Sequence, residues 1–287
     1  MRGLRKWGAV VVLVLAACVP ETPAMPPTRT ILPEIAPSPT VNPVLPTINP
    51  FAQPGQNIPE AAVAPNDMGV DDVTPLPAEA GLEIVASRDG LRMRATLYEA
   101  DVAPAPAVLL LHQAGGRKED WLPLITPFQQ AGFTVLAVDL RGFGVTGSIP
   151  NWTTARQDVL DILDYLRGVD GVDGGRIAVI GAREGANLAL TACVVSTVCQ
   201  AVVMLSPGLD YQGMTTDGAV TQLGERPLLL IAAEGDTYAA RSARELDALA
   251  TGLHDLMLFS GGATGTGLLT GEPGLAQTIL AWVRGVQ

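Results

Sequence analysis

Residues 177–186 read Ile-Ala-Val-Ile-Gly-Ala-Arg-Glu-Gly-Ala. The first four are apolar on both alternations, which is typical of a strand buried on both faces. Gly181, Ala182 and Gly185 are small enough to let a strand turn sharply into a helix that lies against its neighbours. Residues 188–192 then continue with apolar side chains at helical spacing. The stretch therefore predicts a buried strand, a tight turn and a helix.

The rest of the C-terminal two thirds repeats this alternation. Five more apolar runs predict strands: Ala107–Leu111, Thr134–Val138, Ala201–Leu205, Leu228–Ala232 and Leu256–Phe259. Amphipathic stretches lie between them, one with an apolar stripe at Val159, Ile162, Leu163 and Leu166. Before them, Glu83–Ser87 and Arg92–Tyr98 flank Asp89-Gly90 and predict an antiparallel hairpin. Alternating strands and helices after a hairpin predict an α/β fold with a doubly wound sheet.

Short polar and glycine-rich segments follow the predicted strands in a fixed order. They are His112-Gln113-Ala114-Gly115-Gly116, Asp139-Leu140-Arg141-Gly142-Phe143-Gly144, Gly181-Ala182-Arg183-Glu184-Gly185, Ser206-Pro207-Gly208, Glu234-Gly235-Asp236 and Gly261-Gly262-Ala263-Thr264-Gly265. Together they resemble the landmarks of the α/β-hydrolase fold, especially its small lidless esterases and dienelactone-hydrolase-like members, over Gly81–Gln287. The resemblance implies a mostly parallel, doubly wound sheet with an N-terminal antiparallel hairpin and no large lid.

The resemblance also implies where catalytic groups should stand. The family's chemistry needs a serine or cysteine nucleophile, an imidazole base and a carboxylate that orients the imidazole. Here Arg183 takes the nucleophile's place and Thr264 takes the base's place, while Asp236 keeps the acid position. A guanidinium stays protonated and does not attack carbonyls. We therefore expect a pseudoenzyme that has lost serine-hydrolase chemistry.

The backbone amides expected around the elbow suggest two roles for Arg183. The resemblance places the amides of Ala114 and Glu184 in the former oxyanion hole, at a helix N-terminus that favours anions. With Arg183 added, the pocket could bind a carboxylate or phosphate, or Arg183 could only fill and neutralise a dead site. We expect Arg183 to pair with Asp236 directly or through Thr264, on an elbow backbone with positive φ.

A competing hypothesis keeps enzymatic activity. The chain would then be an active ester or dienelactone hydrolase that uses an unrecognised constellation, such as His112 with Ser206. No spacing in the sequence demands that pair. His254 precedes the last predicted strand, away from the site, and is expected to be a surface residue.

The N-terminal third predicts a membrane-anchored lipoprotein. Residues 1–18 have a basic start, an eleven-residue apolar stretch and Leu15-Ala16-Ala17-Cys18, which resembles a bacterial lipobox with Cys18 as the lipidated residue. The alternative is an ordinary signal peptide with a chance cysteine. Residues 19–80 hold 15 of the 23 prolines and predict a disordered tether, followed by one domain over 81–287. We expect an extracytoplasmic location in the cell envelope.

Composition limits which ligands and partners the protein can have. The net charge of −11 argues against binding to nucleic acid, and two histidines exclude a histidine-rich metal site. Nothing in the sequence predicts a cofactor or a metal; the partners expected are the membrane and either a small anionic ligand or an envelope protein. Cys193 and Cys199 are expected to form a disulfide in an oxidising compartment, with two buried thiols as the alternative.

Overall fold

The computed structural model describes residues 80–287, which form an eight-stranded sheet and a separate two-stranded hairpin. The strands are β1 (Ala80–Ala86), β2 (Arg92–Tyr98), β3 (Ala105–Leu111), β4 (Thr134–Val138), β5 (Val172–Ala182), β6 (Cys199–Leu205), β7 (Asp210–Tyr211), β8 (Met214–Thr215), β9 (Leu228–Ala233) and β10 (His254–Phe259). The sheet order is β1-β2-β4-β3-β5-β6-β9-β10. Within the eight-stranded sheet, β1 and β2 pair antiparallel with their neighbours, and the six other strands run parallel to one another.

Helices cover both faces of this sheet. They are α1 (Leu122–Gln130), α2 (Trp152–Arg167), α3 (Glu184–Val195), α4 (Asp217–Leu223), α5 (Thr237–Leu249), α6 (Leu268–Gly271) and α7 (Leu275–Val286). Helices α2 to α5 pack with one set of buried residues and α1, α6 and α7 with the other. Along β3, Leu109 and Leu111 face the first set, whereas Val108 and Leu110 face the second. The apolar runs are therefore apolar on both alternations because both faces are covered.

This architecture confirms the predicted fold class: a mostly parallel sheet with an N-terminal antiparallel hairpin. Between β6 and α4 the chain forms only the short β7–β8 hairpin, so within residues 80–287 no large lid covers the strand ends. The predicted signal segment and tether lie outside the described residues, apart from Ala80, with which β1 begins. In residues 80–287, no helix combines the length and the apolar character needed to cross a membrane.

The strands match their predicted positions with one large extension. β4 has the predicted bounds, whereas β5 begins five residues earlier than the apolar run at Ile177 and includes a polar stretch with Gly174 and Gly175. That early part pairs only through Val172 with Ala105, next to a register shift. Polar, half-exposed residues gave no strand signal because this end of β5 is not buried on both faces.

Close packing fixes the turn between β5 and α3. A Cβ atom on Gly181 would lie 2.2 Å from the carbonyl oxygen of Gly185, and one on Gly185 would lie 2.2 Å from the carbonyl oxygen of Leu111. Neither position can accept a side chain without moving backbone atoms. The small residues predicted at this turn are therefore required by the approach of α3 to β5 and β3.

Candidate functional site

Arg183 occupies the tight turn between β5 and α3, at the carboxyl edge of the parallel strands. Its backbone has φ 49° and ψ −111°, and its N–H donates to the carbonyl oxygen of Leu205 at 2.8 Å. A positive φ is unfavourable for a residue with a side chain and persists only where the surroundings enforce it. The elbow backbone therefore has the geometry that the sequence predicts, although the residue at its apex is arginine.

The side chain of Arg183 reaches the acid position both directly and through Thr264. The Arg183 Nη1 donates to Thr264 Oγ1 at 2.8 Å and lies 3.4 Å from Asp236 Oδ2. The Thr264 hydroxyl in turn donates to Asp236 Oδ2 at 2.6 Å. We call Arg183, Thr264 and Asp236 the elbow cluster. The structure thus contains the expected pairing of Arg183 with Asp236, both directly and through Thr264.

Asp236 also caps a helix. It is the N-cap of α5, and its Oδ1 accepts the N–H of Ala239 at 3.2 Å. Such a cap satisfies one of the free N–H groups at a helix start. Both carboxylate oxygens of Asp236 are thereby engaged by groups of the chain itself.

Tyr211 closes the cluster from the side of the β7–β8 hairpin. The Arg183 Cζ lies 4.9 Å from the centre of the Tyr211 ring, a cation–π arrangement. Burial raises the pKa of Tyr211 to about 12, although the charge of Arg183 acts in the opposite direction. The side chains of Arg183 and Asp236 are 30% and 13% exposed. The guanidinium is therefore held between a carboxylate, a hydroxyl and an aromatic ring, with part of it in solvent.

The Ala114 amide, which the family resemblance assigns to an oxyanion hole, is engaged by a side chain of the protein itself. The N–H of Ala114 donates to Glu184 Oε2 at 3.0 Å, and the Glu184 side chain is buried. This corrects the expectation that the Ala114 amide points into an open anion-binding hole. The sequence predicted a role for the backbone of Glu184 alone, whereas its side-chain carboxylate accepts the N–H of Ala114.

His112 and Ser206, the pair considered for a substitute mechanism, each contact backbone groups of the chain. His112 is fully buried; its Nε2 accepts the N–H of Leu140 at 3.0 Å, so the proton lies on Nδ1, which faces the carbonyl oxygen of Gln113 at 2.7 Å. Burial lowers the pKa of His112, which keeps the ring neutral. The Ser206 Oγ accepts the N–H of Gly265 at 2.9 Å. Both side chains serve to hold loops.

The other histidine lies away from the elbow cluster. His254 begins β10, at the opposite end of the parallel strands from Arg183, and its Nδ1 lies 2.7 Å from the carbonyl oxygen of Gly252. Within residues 80–287, no group of His, Cys, Asp and Glu side chains could hold a metal ion.

A disulfide fixes the far end of α3. Cys193 and Cys199 are bonded, with 5.3 Å between their Cα atoms, and connect the last turn of α3 to the start of β6. Arg226 donates to the carbonyl oxygens of Cys193 and Ser196 in the same connection. The bridge expected from the sequence is present; the role of Arg226 was not foreseen, because its partners lie 30 or more residues away.

Comparison with known proteins agrees with this geometry. A family model described as "alpha/beta hydrolase fold" matches residues 106–254, about half of the chain. The chain belongs to the α/β-hydrolase fold family. No curated protein matches it.

Solved structures with the same fold are distant in sequence. An α/β hydrolase from Penicillium sp. superposes with a TM-score of 0.64 at 14% identity, covering 72% of this chain and 99% of its own. An esterase from Pyrococcus furiosus gives 0.61 at 16% identity over 72% and 91%. A dienelactone hydrolase from Anabaena variabilis gives 0.59 at 18% identity over 72% and 96%. At such identities the likeness shows the fold alone.

Proposed function

We propose that this protein is a membrane-anchored α/β-hydrolase-fold lipoprotein of the cell envelope that lacks hydrolase chemistry and acts by binding. The observation that carries the proposal is the elbow cluster: Arg183 and Thr264, at the positions that the family resemblance gives to nucleophile and base, both contact Asp236. Nucleophile, base and acid work as a unit, so two replacements remove the contribution of the triad to hydrolysis.

The surroundings of the elbow cluster support a closed site. An arriving anion would compete with Asp236 for Arg183 and with Glu184 for the Ala114 N–H. Because both donors already have carboxylate partners within the chain, a small anion gains little by replacing them. Of the two binding roles expected from the sequence, partner binding by a closed domain is therefore favoured over capture of a small anion at the elbow.

The alternative is an active esterase or dienelactone hydrolase with an unrecognised constellation. It needs a side chain that can give up or accept a proton near a nucleophile. His112 uses both ring nitrogens in backbone contacts, and Ser206 accepts from Gly265. Neither has the free geometry that such a mechanism requires.

Hydrolysis of a short activated ester, p-nitrophenyl acetate, by the full chain tests the proposal. We expect the wild type and an Asp236→Ala variant to hydrolyse the ester at the same rate. That rate should equal the background rate measured in buffer that contains a non-enzymatic control protein. Turnover by the wild type well above that level would contradict the proposal. If Asp236→Ala then abolished it, the old acid position would be in use; if not, another constellation would be.

A variant with serine and histidine reintroduced at the elbow tests whether the rest of the site can still support hydrolysis. We expect the Arg183→Ser/Thr264→His variant to remain slow, because Glu184 still occupies the Ala114 N–H. Adding Glu184→Ala should raise the hydrolysis rate by about tenfold or more, since one oxyanion-hole donor contributes roughly a hundredfold or more to kcat. Equal rates for the double and triple variants would show that the Glu184 carboxylate does not block the hole.

A further inference from the structure

A polar cavity of about 230 Å³ lies among α2, α3 and the β7–β8 hairpin. α2 contributes Trp152, Thr153 and Arg156, α3 contributes Thr191, and the hairpin contributes residues 212–215. The cavity contains no member of the elbow cluster. On α3, Thr191 lies two turns beyond the elbow, about 12 Å along the helix axis. It is a concave site separate from the elbow cluster, and the proposed function assigns it no role.

The walls of the cavity are fixed by buried contacts. Asn187 on α3 is fully buried and donates through Nδ2 to the carbonyl oxygens of Gly208 at 2.9 Å and Met214 at 2.8 Å. This anchors the hairpin on α3. On the other wall, the ring of Trp152 packs against Phe143, with 5.5 Å between centres. A site formed in advance has little ordering cost when a ligand binds.

The charge of the cavity is opposite to that of the protein. Arg156 is one of the lining residues, and none of them is Asp or Glu. Among residues 80–287, no ion pair includes Arg156, whose side chain is exposed. In a chain of net charge −11, an arginine without a carboxylate partner in a concave site selects an anion. Its planar fork can bind a carboxylate through two parallel hydrogen bonds.

The other lining groups define the remainder of the ligand. Thr153, Thr215 and Gln212 supply hydroxyl and amide groups that both donate and accept hydrogen bonds, and Trp152 supplies a broad aromatic surface. The volume is below the roughly 300–1,000 Å³ of sites for drug-sized ligands. The cavity therefore suits one small ring that carries hydroxyl groups and an acid.

We propose that this cavity binds a small hydroxylated carboxylate of the size of a single sugar acid. Arg156 binds the carboxylate, Thr153, Thr215 and Gln212 bind the hydroxyl groups, and Trp152 packs against the ring. This inference goes beyond the proposed function and does not depend on whether the elbow cluster is catalytic.

Calorimetric titration of the full chain with D-glucuronate tests the site. We expect saturable binding at millimolar or lower concentration, with D-glucose, which lacks the charge, and acetate, which lacks the hydroxyl groups, each at least about tenfold weaker. Arg156→Gln should weaken glucuronate binding by about tenfold or more. Arg176→Gln, which changes an exposed arginine on β5 outside the cavity, should leave it unchanged.

Three results would overturn the proposal. The first is the absence of saturable heat with glucuronate at concentrations of about 10 mM, where millimolar affinities are measurable. The second is equal binding by wild type and Arg156→Gln. The third is binding that survives Arg156→Gln but is lost in Arg183→Gln, which would place the ligand at the elbow cluster. The ester-hydrolysis result alters none of these readouts, so failure of one proposal is distinguishable from failure of the other.

Discussion

At the scale of single residues, the elbow shows how Arg183 and Asp236 share a partly buried site without either charge being left unpaired. Asp236 without a partner would cost about 1–3 kcal/mol or more, because a partly buried carboxylate needs donors. Thr264 and Arg183 supply those donors at 2.6 and 3.4 Å. Glu184, the next residue, finds its donor in the Ala114 N–H. Arg183 and Glu184, which are adjacent and of opposite charge, thus have separate partners in the folded chain.

His112 gives a prediction about pH at this scale. Its pKa is lowered by burial, so the unfolded chain takes up a proton below the ordinary histidine pKa of about 6.5 while the folded chain does not. The stability that neutral His112 contributes is complete above that pH and is lost as the pH falls toward the lowered folded pKa. We therefore expect the free energy of unfolding, measured by urea denaturation, to decrease from pH 7.5 to 5.5.

The chain has only two histidines, which supplies a matched control. His112→Gln should flatten this pH dependence, whereas His254→Gln should keep the wild-type slope. The same slope for wild type and His112→Gln would contradict the assignment of the effect to His112.

At the scale of elements, the contact between β5, α3 and β3 determines the site. α3 can begin directly after β5 only because Gly181 and Gly185 leave room for backbone atoms. That approach forces the positive φ of Arg183 and brings the first turn of α3 to the loop that contains Ala114. The disulfide between Cys193 and Cys199 then holds the other end of α3 against β6. The helix is restrained at both ends, so its first turn is kept in place beneath the cluster.

Gly185→Ala tests this contact. Its Cβ atom would meet the carbonyl oxygen of Leu111 at 2.2 Å, so backbone must move, and we expect a loss of about 3 kcal/mol or more in unfolding free energy. Gly267→Ala is the matched control, since Gly267 has φ −60° and open space around its Cβ position. It should be neutral or slightly stabilising. Similar melting temperatures for the two variants, measured by circular dichroism, would refute the packing argument.

At the scale of the whole molecule, charge and the order of the segments suggest how the folded domain is attached to a membrane. A basic, apolar start that ends at Cys18 precedes a proline-rich segment and then the folded domain. We propose that Cys18 is lipidated and that residues 19–80 form the spacer between membrane and domain. An anchor held outside the cytoplasm agrees with the disulfide of the folded domain, because such bridges persist in oxidising compartments.

Substitution of Cys18 tests the anchor. We expect the wild-type chain, expressed in a bacterium with lipoprotein processing, to partition into the detergent phase of a Triton X-114 extract, because acyl chains add about 0.8 kcal/mol per buried methylene. Cys18→Ser should move to the aqueous phase. The Cys193→Ala/Cys199→Ala variant, which keeps Cys18, should remain with the detergent. A wild-type chain recovered from the aqueous phase would argue for an ordinary signal peptide.

The sequence by itself determined the six buried strands, the N-terminal hairpin, the small residues of the elbow and the positions of Arg183, Thr264 and Asp236 in the loops that follow the strands. These follow from local periodicity and from motifs within a few residues of one another. It did not predict the polar start of β5, which lies outside any apolar pattern.

The tertiary structure alone decided what the polar side chains contact. Glu184 reaches Ala114 across 70 residues of sequence, and Arg183 reaches Thr264 across 81. The cavity around Arg156 is assembled from α2, α3 and a hairpin that are distant in the chain. Periodicity reports which face of an element is buried, but a side-chain partner depends on the packing of several elements at once, and that geometry exists only in the folded domain.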